Sequence, residues 1–261
     1  MHPSNQALVV AHFHQDGQLR SDTLNFLEAC QGSFKRLIFV STNLSEAQRA
    51  LIPDFVECHL RENIGYDFFS YRLGVSLLVD TSIGCEGLGE TFDRLTLMNT
   101  SFVISDAEKF IKNYFFDGLS KLDSDFVGLT LHLSDGTIYP HLQSFLLSFG
   151  KRVLNDERFI AWWSGLELLV NKDQIIRNYE IGLSKFIDEL GYTKTSIYSP
   201  AKSQMILDPM HGNFEEILDK YGVLKIGLFK INPFRLKLDP LILRAQADEK
   251  FRLLLVDGME N

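Results

Sequence analysis

Cysteine is scarce in this chain, with Cys30, Cys58 and Cys85 the only three among 261 residues. The set is odd and contains no C-x-x-C spacing. Neither a disulfide framework nor a structural zinc site is therefore expected, and reduced cytoplasmic thiols are the simpler reading. Positive charge is also in deficit. Lys and Arg number 26 against 34 Asp and Glu, a net charge of −8, which removes the basic footprint of a nucleic-acid-binding protein. A local groove holding one or two cations remains compatible with that balance. Long hydrophobic runs are missing too: none approaches the roughly 20 residues that cross a bilayer, and the first residues lack the basic region and apolar stretch of a secretory leader. A soluble protein, or one peripheral to a membrane, is expected. With no internal repeat, linker or low-complexity segment, a single domain over residues 1–261 is expected.

What the chain does have is apolar residues, 45% of the total with 21 Phe, enough for a sizeable core. Its first half alternates short β-like runs with helical ones, the pattern of crossover units and a mainly parallel sheet. Strands are expected at residues 7–13, 36–41, 56–60, 94–98 and 126–131. A helix starting at Ser21 or Asp22 carries Leu24 and Leu27 inward and ends near Gly32. Another begins near Phe68 with Phe69, Leu73 and Leu77 on one face. Ser105 and Glu108 form a capping box for a helix through Ile111 and Phe115. Ser134-Asp135-Gly136-Thr137 reads as a turn into the apolar run 138–149. Past Lys151 the chain is more helical. Residues 179–190 place Leu183, Phe186, Ile187 and Leu190 on one stripe before Gly191. Asn213 with Glu216 resembles a further helix start, and Pro200, Pro209, Pro233 and Pro240 break up what reads as a wrapping tail.

The most informative stretch is Arg61-Glu62-Asn63-Ile64-Gly65-Tyr66-Asp67, which fills the gap between the 56–60 strand, expected to be buried, and the helix after it. At the carboxyl end of a strand in an open α/β sheet such a loop faces the crevice where ligands bind. Gly65 permits a tight turn or a close approach to a ligand, Asn63 and Asp67 can read hydroxyls or amides, and Arg61 can pair with a phosphate. The alternative is a helix cap with Asp67 at the N-cap position.

Six further blocks accompany this loop: Ala11-His12-Phe13, Phe39-Val40-Ser41-Thr42-Asn43, Leu97-Met98-Asn99-Thr100-Ser101, Asp125-Phe126-Val127-Gly128-Leu129-Thr130, His141-Leu142-Gln143-Ser144-Phe145 and Tyr179-Glu180-Ile181-Gly182-Leu183, followed by Asp208-Pro209-Met210-His211. In this order, from about residue 7 to about residue 240, the set resembles the rhamnan synthesis protein F family of bacterial glycosyltransferases. The resemblance implies an α/β fold: a GT-A-like, Rossmann-type, mainly parallel sheet flanked by helices, with a more helical C-terminal part. It implies a nucleotide-binding half over residues 1–130 and an acceptor half with a C-terminal tail over 131–261. It also implies transfer of a sugar, L-rhamnose, with inversion, from a nucleoside-diphosphate donor to a growing bacterial surface polysaccharide such as lipopolysaccharide O-antigen. The partners would be the sugar nucleotide, a glycan or lipid-linked glycan acceptor met at the inner face of the membrane, and other glycosyltransferases. The alternative is a catalytically silent relative that binds nucleotide or glycan and scaffolds a partner glycosyltransferase.

Such a transfer needs a nucleotide pocket, charge neutralisation for the leaving diphosphate, and a base for the acceptor hydroxyl. For the pocket, the resemblance implies convergence of His12 and His14, of Ser41, Thr42 and Asn43, and of Arg61, Asn63, Gly65 and Asp67 at one sheet edge; the histidines read equally as residues that merely follow a strand. For the diphosphate, GT-A enzymes often hold Mg²⁺ or Mn²⁺ on Asp-x-Asp carboxylates. The strand end that reads Asn-Asp-Ser in the family reads Asn99-Thr100-Ser101 here, so the carboxylate is missing. The chain then works without metal, recruits a carboxylate such as Asp125, or is inactive; the triplet Asp123-Ser124-Asp125 reads also as a solvated turn. For the base, the layout of related enzymes implies Glu180, ahead of the 183–190 stripe; stabilisation of a helix N-terminus is the other role for a carboxylate there. Trp162 and Trp163 offer sugar-stacking faces or core packing. His141 and Gln143 line the acceptor cleft or form a satisfied pair at a strand edge. His211 reaches the diphosphate or a metal, or is a packing residue of its turn.

Overall fold

Residues 7–11 are all buried, with Leu8 and Val10 directed to one apolar cluster and Ala7, Val9 and Ala11 to another. A strand covered on both faces has no need to alternate polar with apolar residues, which is why its sequence is a continuous apolar run. The computed structural model, which describes residues 4–81, 87–169, 171–200 and 207–260, places this strand inside a seven-stranded sheet. The strands are β1 (Ser4–His12), β2 (Phe34–Ser41), β3 (Glu57–Leu60), β4 (Arg94–Asn99), β5 (Phe102–Ile104), β6 (Phe126–Gly128), β7 (Leu131–His132), β8 (His141–Leu142), β9 (Leu146–Gly150), β10 (Lys194–Ser196) and β11 (Val223–Lys225). The main sheet has the order β10-β6-β9-β4-β1-β2-β3. Within it β9 alone runs against its neighbours β4 and β6, so the sheet is mainly parallel and flanked by helices, as the resemblance implies. Two antiparallel pairs, β5 with β11 and β7 with β8, stand outside it.

One apolar layer packs Phe26, Phe110 and Tyr114 against one face of the sheet, and the other packs Phe68, Tyr71, Phe159 and Trp163 against the opposite face. A third cluster joins Val103, Phe214, Leu241 and Phe251 beneath the C-terminal helices Asp239–Ala247 and Glu249–Glu260. The strand order interleaves the two halves of the sequence, since β9 lies between β4 and β6 and β10 closes one edge. Strand order also reverses at β1, with β2 on one side of it and β4 on the other. Crevices for ligands open outside the carboxyl ends of strands at such a point.

Several local expectations change. The strand at 57–60 is an edge strand, half-exposed, and Leu60 is 49% exposed; its only partner in the main sheet is β2. Its helix, Tyr66–Thr81, starts two residues earlier than the apolar spacing indicates and buries Phe68, Tyr71, Val75 and Leu78, leaving Phe69, Leu73 and Leu77 at the margin of the cluster. The expected capping box is displaced by one residue. Asp106 is the N-cap and accepts from the Lys109 amide, while the Ser105 hydroxyl donates to the Gly222 carbonyl. The 126–131 run breaks after Gly128, where added bulk would meet Leu142 at 3.0 Å. The 138–149 run splits into β8 and β9. Pro209 and Pro240 open helices, and the tail is helical. Cys30 and Cys58 are free thiols, and Cys85 lies outside the described residues. No helix among the described residues is long and apolar enough to cross a membrane.

Candidate functional site

The carboxyl ends of β1, β2 and β4 meet where strand order reverses, and the residues there are tied together by polar contacts. His12, at the end of β1, is buried. Its Nε2–H donates to the Gln18 carbonyl (3.1 Å) and its Nδ1 accepts from the Ser41 hydroxyl (2.9 Å), so both ring nitrogens are committed and the neutral tautomer is fixed. Burial, reinforced by the charges of Arg20 and His14, pushes its pKa down to about 3. Ser41 Oγ also accepts from the Asn43 amide (3.3 Å), and Asn43 Nδ2 donates to the His14 and Gln15 carbonyls. His14 is buried and its Nδ1 accepts from the Asp16 amide. These contacts tie together the loops that follow β1 and β2. The Thr42 hydroxyl is buried and has no hydrogen-bond partner among the described residues.

The Arg61–Asp67 loop is held by its own arginine. Arg61 Nε donates to Ser70 Oγ (2.8 Å), and its terminal nitrogens donate to the carbonyls of Glu62 (2.8 Å), Ile64 (2.5 Å) and Tyr66. A guanidinium spread over three backbone carbonyls and a hydroxyl shapes the loop, and the expected free phosphate clamp is not what the structure places here. Gly65 has φ +70°, and a Cβ there would fall 2.3 Å from the Phe69 ring, so the turn requires glycine on both counts. Asn63 is exposed at the tip. Asp67 lies inside the first helical turn and not at the cap, and its Oδ2 accepts from Asn99 Nδ2 (2.6 Å).

Asn99 is the hinge of a directional chain. Its Oδ1 accepts from the Ser101 amide (3.0 Å) and hydroxyl (2.5 Å), and Ser101 Oγ in turn accepts from Lys225 Nζ (2.6 Å). Donation therefore runs from Lys225 through Ser101 and Asn99 to the Asp67 carboxylate, which fixes the orientation of the Asn99 amide. Antiparallel pairing of β11 with β5 sets Lys225 opposite Phe102, and the Ile226 amide donates to the Ser101 carbonyl (3.2 Å). The Lys225 ammonium also stands 4.5 Å from the centre of the Phe145 ring. Burial pulls its pKa down to about 8, against the charges of Glu180, Asp67 and Asp208, which favour the ammonium; Lys172 lowers it further. Burial likewise raises the Asp67 carboxyl, with Lys225 and the Asn99 hydrogen bond opposing. From below, the buried Arg20–Asp22 pair fixes the same turn. Arg20 donates to the Thr100 and Phe102 carbonyls (2.8 and 2.7 Å), and Asp22 accepts from the Ile104 amide (2.8 Å). Thr100 is buried between these two constructions.

Glu180, from the second half of the chain, lies close enough to Asp67 and Lys225 to act on both charges. The Ser144 amide (2.8 Å) and hydroxyl both donate to its Oε2, and His141 Nε2 is 3.3 Å from its Oε1. His141 Nδ1 faces the Tyr139 carbonyl (2.8 Å), so both ring nitrogens of this imidazole face oxygen atoms. Burial would raise the Glu180 carboxyl, but the hydrogen bonds from His141 and Ser144 outweigh it and hold it below the usual range. The helix does not start here. It begins at Lys172 with Asn171 as its side-chain cap, and Glu180 closes a π-helical segment, Ile176–Glu180, within it, so the helix-terminus role is removed. Such π-bulges frequently mark functional positions. Asp208 and His211 contribute a second carboxylate–imidazole pair (2.8 Å), and hydrogen bonding from His211 holds Asp208 low against its burial.

Other expected members stand apart. Asp125 precedes β6 at the opposite end of the sheet, where it pairs with Arg152 (2.9 Å) and accepts from the Thr193 amide and hydroxyl (both 3.0 Å); a carboxylate so placed cannot replace one missing at the end of β4. Gln143 Oε1 accepts from the Thr130 hydroxyl (2.6 Å), a satisfied pair beside β8. Trp163 is buried among Phe68, Tyr71 and Phe159, and Trp162 stacks on Phe186 (6.0 Å), which makes the tandem a packing element. Lys225, Ser144 and the Arg20–Asp22 pair escaped the sequence reading. For Lys225 the available signal was a lone charge inside the apolar run Val223-Leu224-Lys225-Ile226.

The residues at the end of β4 do not fit a divalent ion. Asn99, Thr100 and Ser101 offer an amide and hydroxyls, an ammonium already lies on Ser101, and the strand end itself lacks the carboxylate through which Mg²⁺ is usually held. Among the described residues no group of three or more His, Cys, Asp or Glu side chains is arranged to hold a metal.

Residues 37–236 match the family described as rhamnan synthesis protein F. The uncharacterized protein y4gN of Sinorhizobium fredii (strain NBRC 101917 / NGR234) is 34% identical over 152 residues, covering 55% of this chain and 36% of the relative, so the chain spans about a third of that relative's length. Similar solved structures include a 4-diphosphocytidyl-2C-methyl-D-erythritol synthase, with 12% identity and a TM-score of 0.43 over 82% of this chain and 98% of that one. They also include the galactosyltransferase LgtC in complex with donor and acceptor sugar analogs, with 13% identity and a TM-score of 0.35 over 73% of this chain and 72% of that one. A glycosyltransferase involved in glycosylation of the major capsid of PBCV-1 has 9% identity and a TM-score of 0.40 over 84% of this chain and 93% of that one. Likeness at this level is too slight to carry residue roles across.

Proposed function

Because the chain belongs to the rhamnan synthesis protein F family, we propose that it is a glycosyltransferase that moves a sugar, L-rhamnose, from a nucleoside-diphosphate carrier to a growing bacterial surface polysaccharide. The observation that carries this reading is the partly solvent-accessible cluster of Asp67, Asn99, Ser101, Glu180 and Lys225 at the strand-order reversal. The donor lies over the ends of β1, β2 and β4, with Asp67 and Asn99 reading its polar groups. The acceptor, a glycan or lipid-linked glycan, enters from the side of His141 and Glu180. The acceptor oxygen attacks the anomeric carbon as its proton passes to the Glu180 carboxylate, and the nucleoside diphosphate departs with the electrons of the broken C–O bond, inverting the configuration. Measuring nucleoside diphosphate release over a panel of sugar nucleotides and acceptor glycans tests this. Release that depends on both donor and acceptor supports transfer, and donor binding without release for every pair sinks the catalytic reading.

One observation favours a second reading, a silent relative that binds nucleotide or glycan and scaffolds a partner glycosyltransferase. Glu180 is held below the usual carboxylate range by Ser144 and His141, which weakens it as a base. Donor binding with no turnover, together with co-purification of an active transferase, is the outcome that separates this reading from the first.

A further inference from the structure

Nucleoside-diphosphate transfer develops negative charge on the leaving phosphates, and the strand end where a carboxylate-held divalent ion would neutralise it carries Asn99, Thr100 and Ser101. A fixed cation stands there already. Lys225 is set opposite Phe102 by the β5–β11 register, its Nζ is 2.6 Å from Ser101 Oγ, and its ammonium lies over the Phe145 ring at 4.5 Å. An ammonium has three donors, and Ser101 takes one of them. Glu180, Asp67 and Asp208 all act on this ammonium; Glu180 and Asp208 each also have an imidazole partner, and Asp67 is linked to Lys225 through Ser101 and Asn99. The side chain is thus positioned and charged, with two donors that meet no acceptor among the described residues.

We propose that Lys225 is the cation that grips the diphosphate of the donor, in place of a divalent metal ion. This rests on the donor-binding reading above. As the anomeric C–O bond breaks and its electron pair moves to the diphosphate oxygen, the ammonium stabilises that charge through hydrogen bonds without giving up a proton; the acceptor's proton goes elsewhere. Arginine or lysine at a developing phosphate charge is a common electrostatic device, and a buried setting strengthens it.

The test is calorimetric titration of the intact chain with UDP, dTDP and GDP in EDTA. Wild-type protein is expected to bind one of them without added metal. Lys225→Met is expected to bind it about 10- to 100-fold more weakly while retaining affinity for the corresponding nucleoside, the range for losing hydrogen bonds to a charged group. Lys225→Arg is expected to recover most of the loss. Should Lys225→Met fail to fold, the wild type alone decides: affinity in EDTA is expected to fall as pH rises from 7 to 9, since the ammonium, faced by Asp67, Glu180, Asp208 and Lys172, is lost above about 8. Unchanged affinity in folded Lys225→Met, affinity in the wild type that is flat across this pH range, or wild-type binding abolished by EDTA and restored by Mg²⁺ or Mn²⁺, overturns the role of Lys225. No binding by the wild type under any condition, with or without metal, overturns the donor-site reading itself.

Discussion

Two charge clusters hold the short turn from Asn99 to Ser101, one from each side, and they are built on opposite principles. In the Arg20–Asp22 cluster the guanidinium meets both carboxylate oxygens and two backbone carbonyls, and the carboxylate takes a backbone amide; the two side chains are 3% and 0% exposed. Four guanidinium donors have acceptors within the fold, and both carboxylate oxygens are engaged. In the Lys225 cluster the cation makes one hydrogen bond among the described residues, three carboxylates act on it, and Glu180 retains 17% exposure. A saturated cluster specifies structure, whereas an incompletely satisfied one at the strand ends is, on the reading proposed above, where a ligand completes the count.

Breaking the saturated cluster has the largest expected effect. Asp22→Ala strands the Arg20 charge and is expected to lower stability by about 3–5 kcal/mol, read from urea denaturation; a loss below about 1 kcal/mol would show that the pair is not what pins the turn. On the open side, Glu180→Gln keeps shape and removes the basic carboxylate. Turnover is expected to fall about 10²- to 10⁴-fold with donor affinity and melting temperature close to wild type; a fully active but less stable variant would make Glu180 a strut for Ser144 and His141. Asp67→Ala comes next. It deprives Asn99 of its acceptor and is expected to weaken donor binding by about 1–3 kcal/mol without unfolding the chain, and unchanged affinity by calorimetry would move the donor away from this crevice. The smallest effect belongs to Asn63→Ala, at the exposed loop tip, with stability within about 0.5 kcal/mol of wild type. An affinity loss as large as that of Asp67→Ala would extend the donor contact out to that tip.

The same comparison shows what was legible in the sequence. Continuous apolar runs gave away β1, β2 and β4, and the loop after β3 stood out because polar residues and a glycine sit between two apolar segments. Asp67, Asn99, Ser101, Glu180 and His141 do assemble as a group. Arg61 was named for the right reason, its charge, yet its acceptors are carbonyls of its own loop, and only the backbone path reveals that. A lone charge in an apolar run marks Lys225 as unusual, but its place at the site is set by the register of a three-residue strand, 124 positions from Ser101. Glu180 was read as opening a helix because a π-bulge shifts the apolar periodicity just before it, masking the turns from Lys172 onward. Asp125 and Trp163 have the composition of site residues and the environment of core ones.

Gly74 lies over β1, where a Cβ would come 2.4 Å from Val9, so the helix Tyr66–Thr81 rests on the sheet at a distance set by bare backbone. Its near end is tied down by Arg61, whose bond to Ser70 reaches the helix itself. Asp67 is therefore carried on a rod fixed at two points, and its orientation is decided before any ligand arrives. Freezing a mobile side chain at the moment of association costs about 0.5–1.5 kcal/mol, and here that ordering has been completed during folding. On the reading proposed above, a donor arriving at these strand ends docks onto a surface already set, without waiting for the loop to settle.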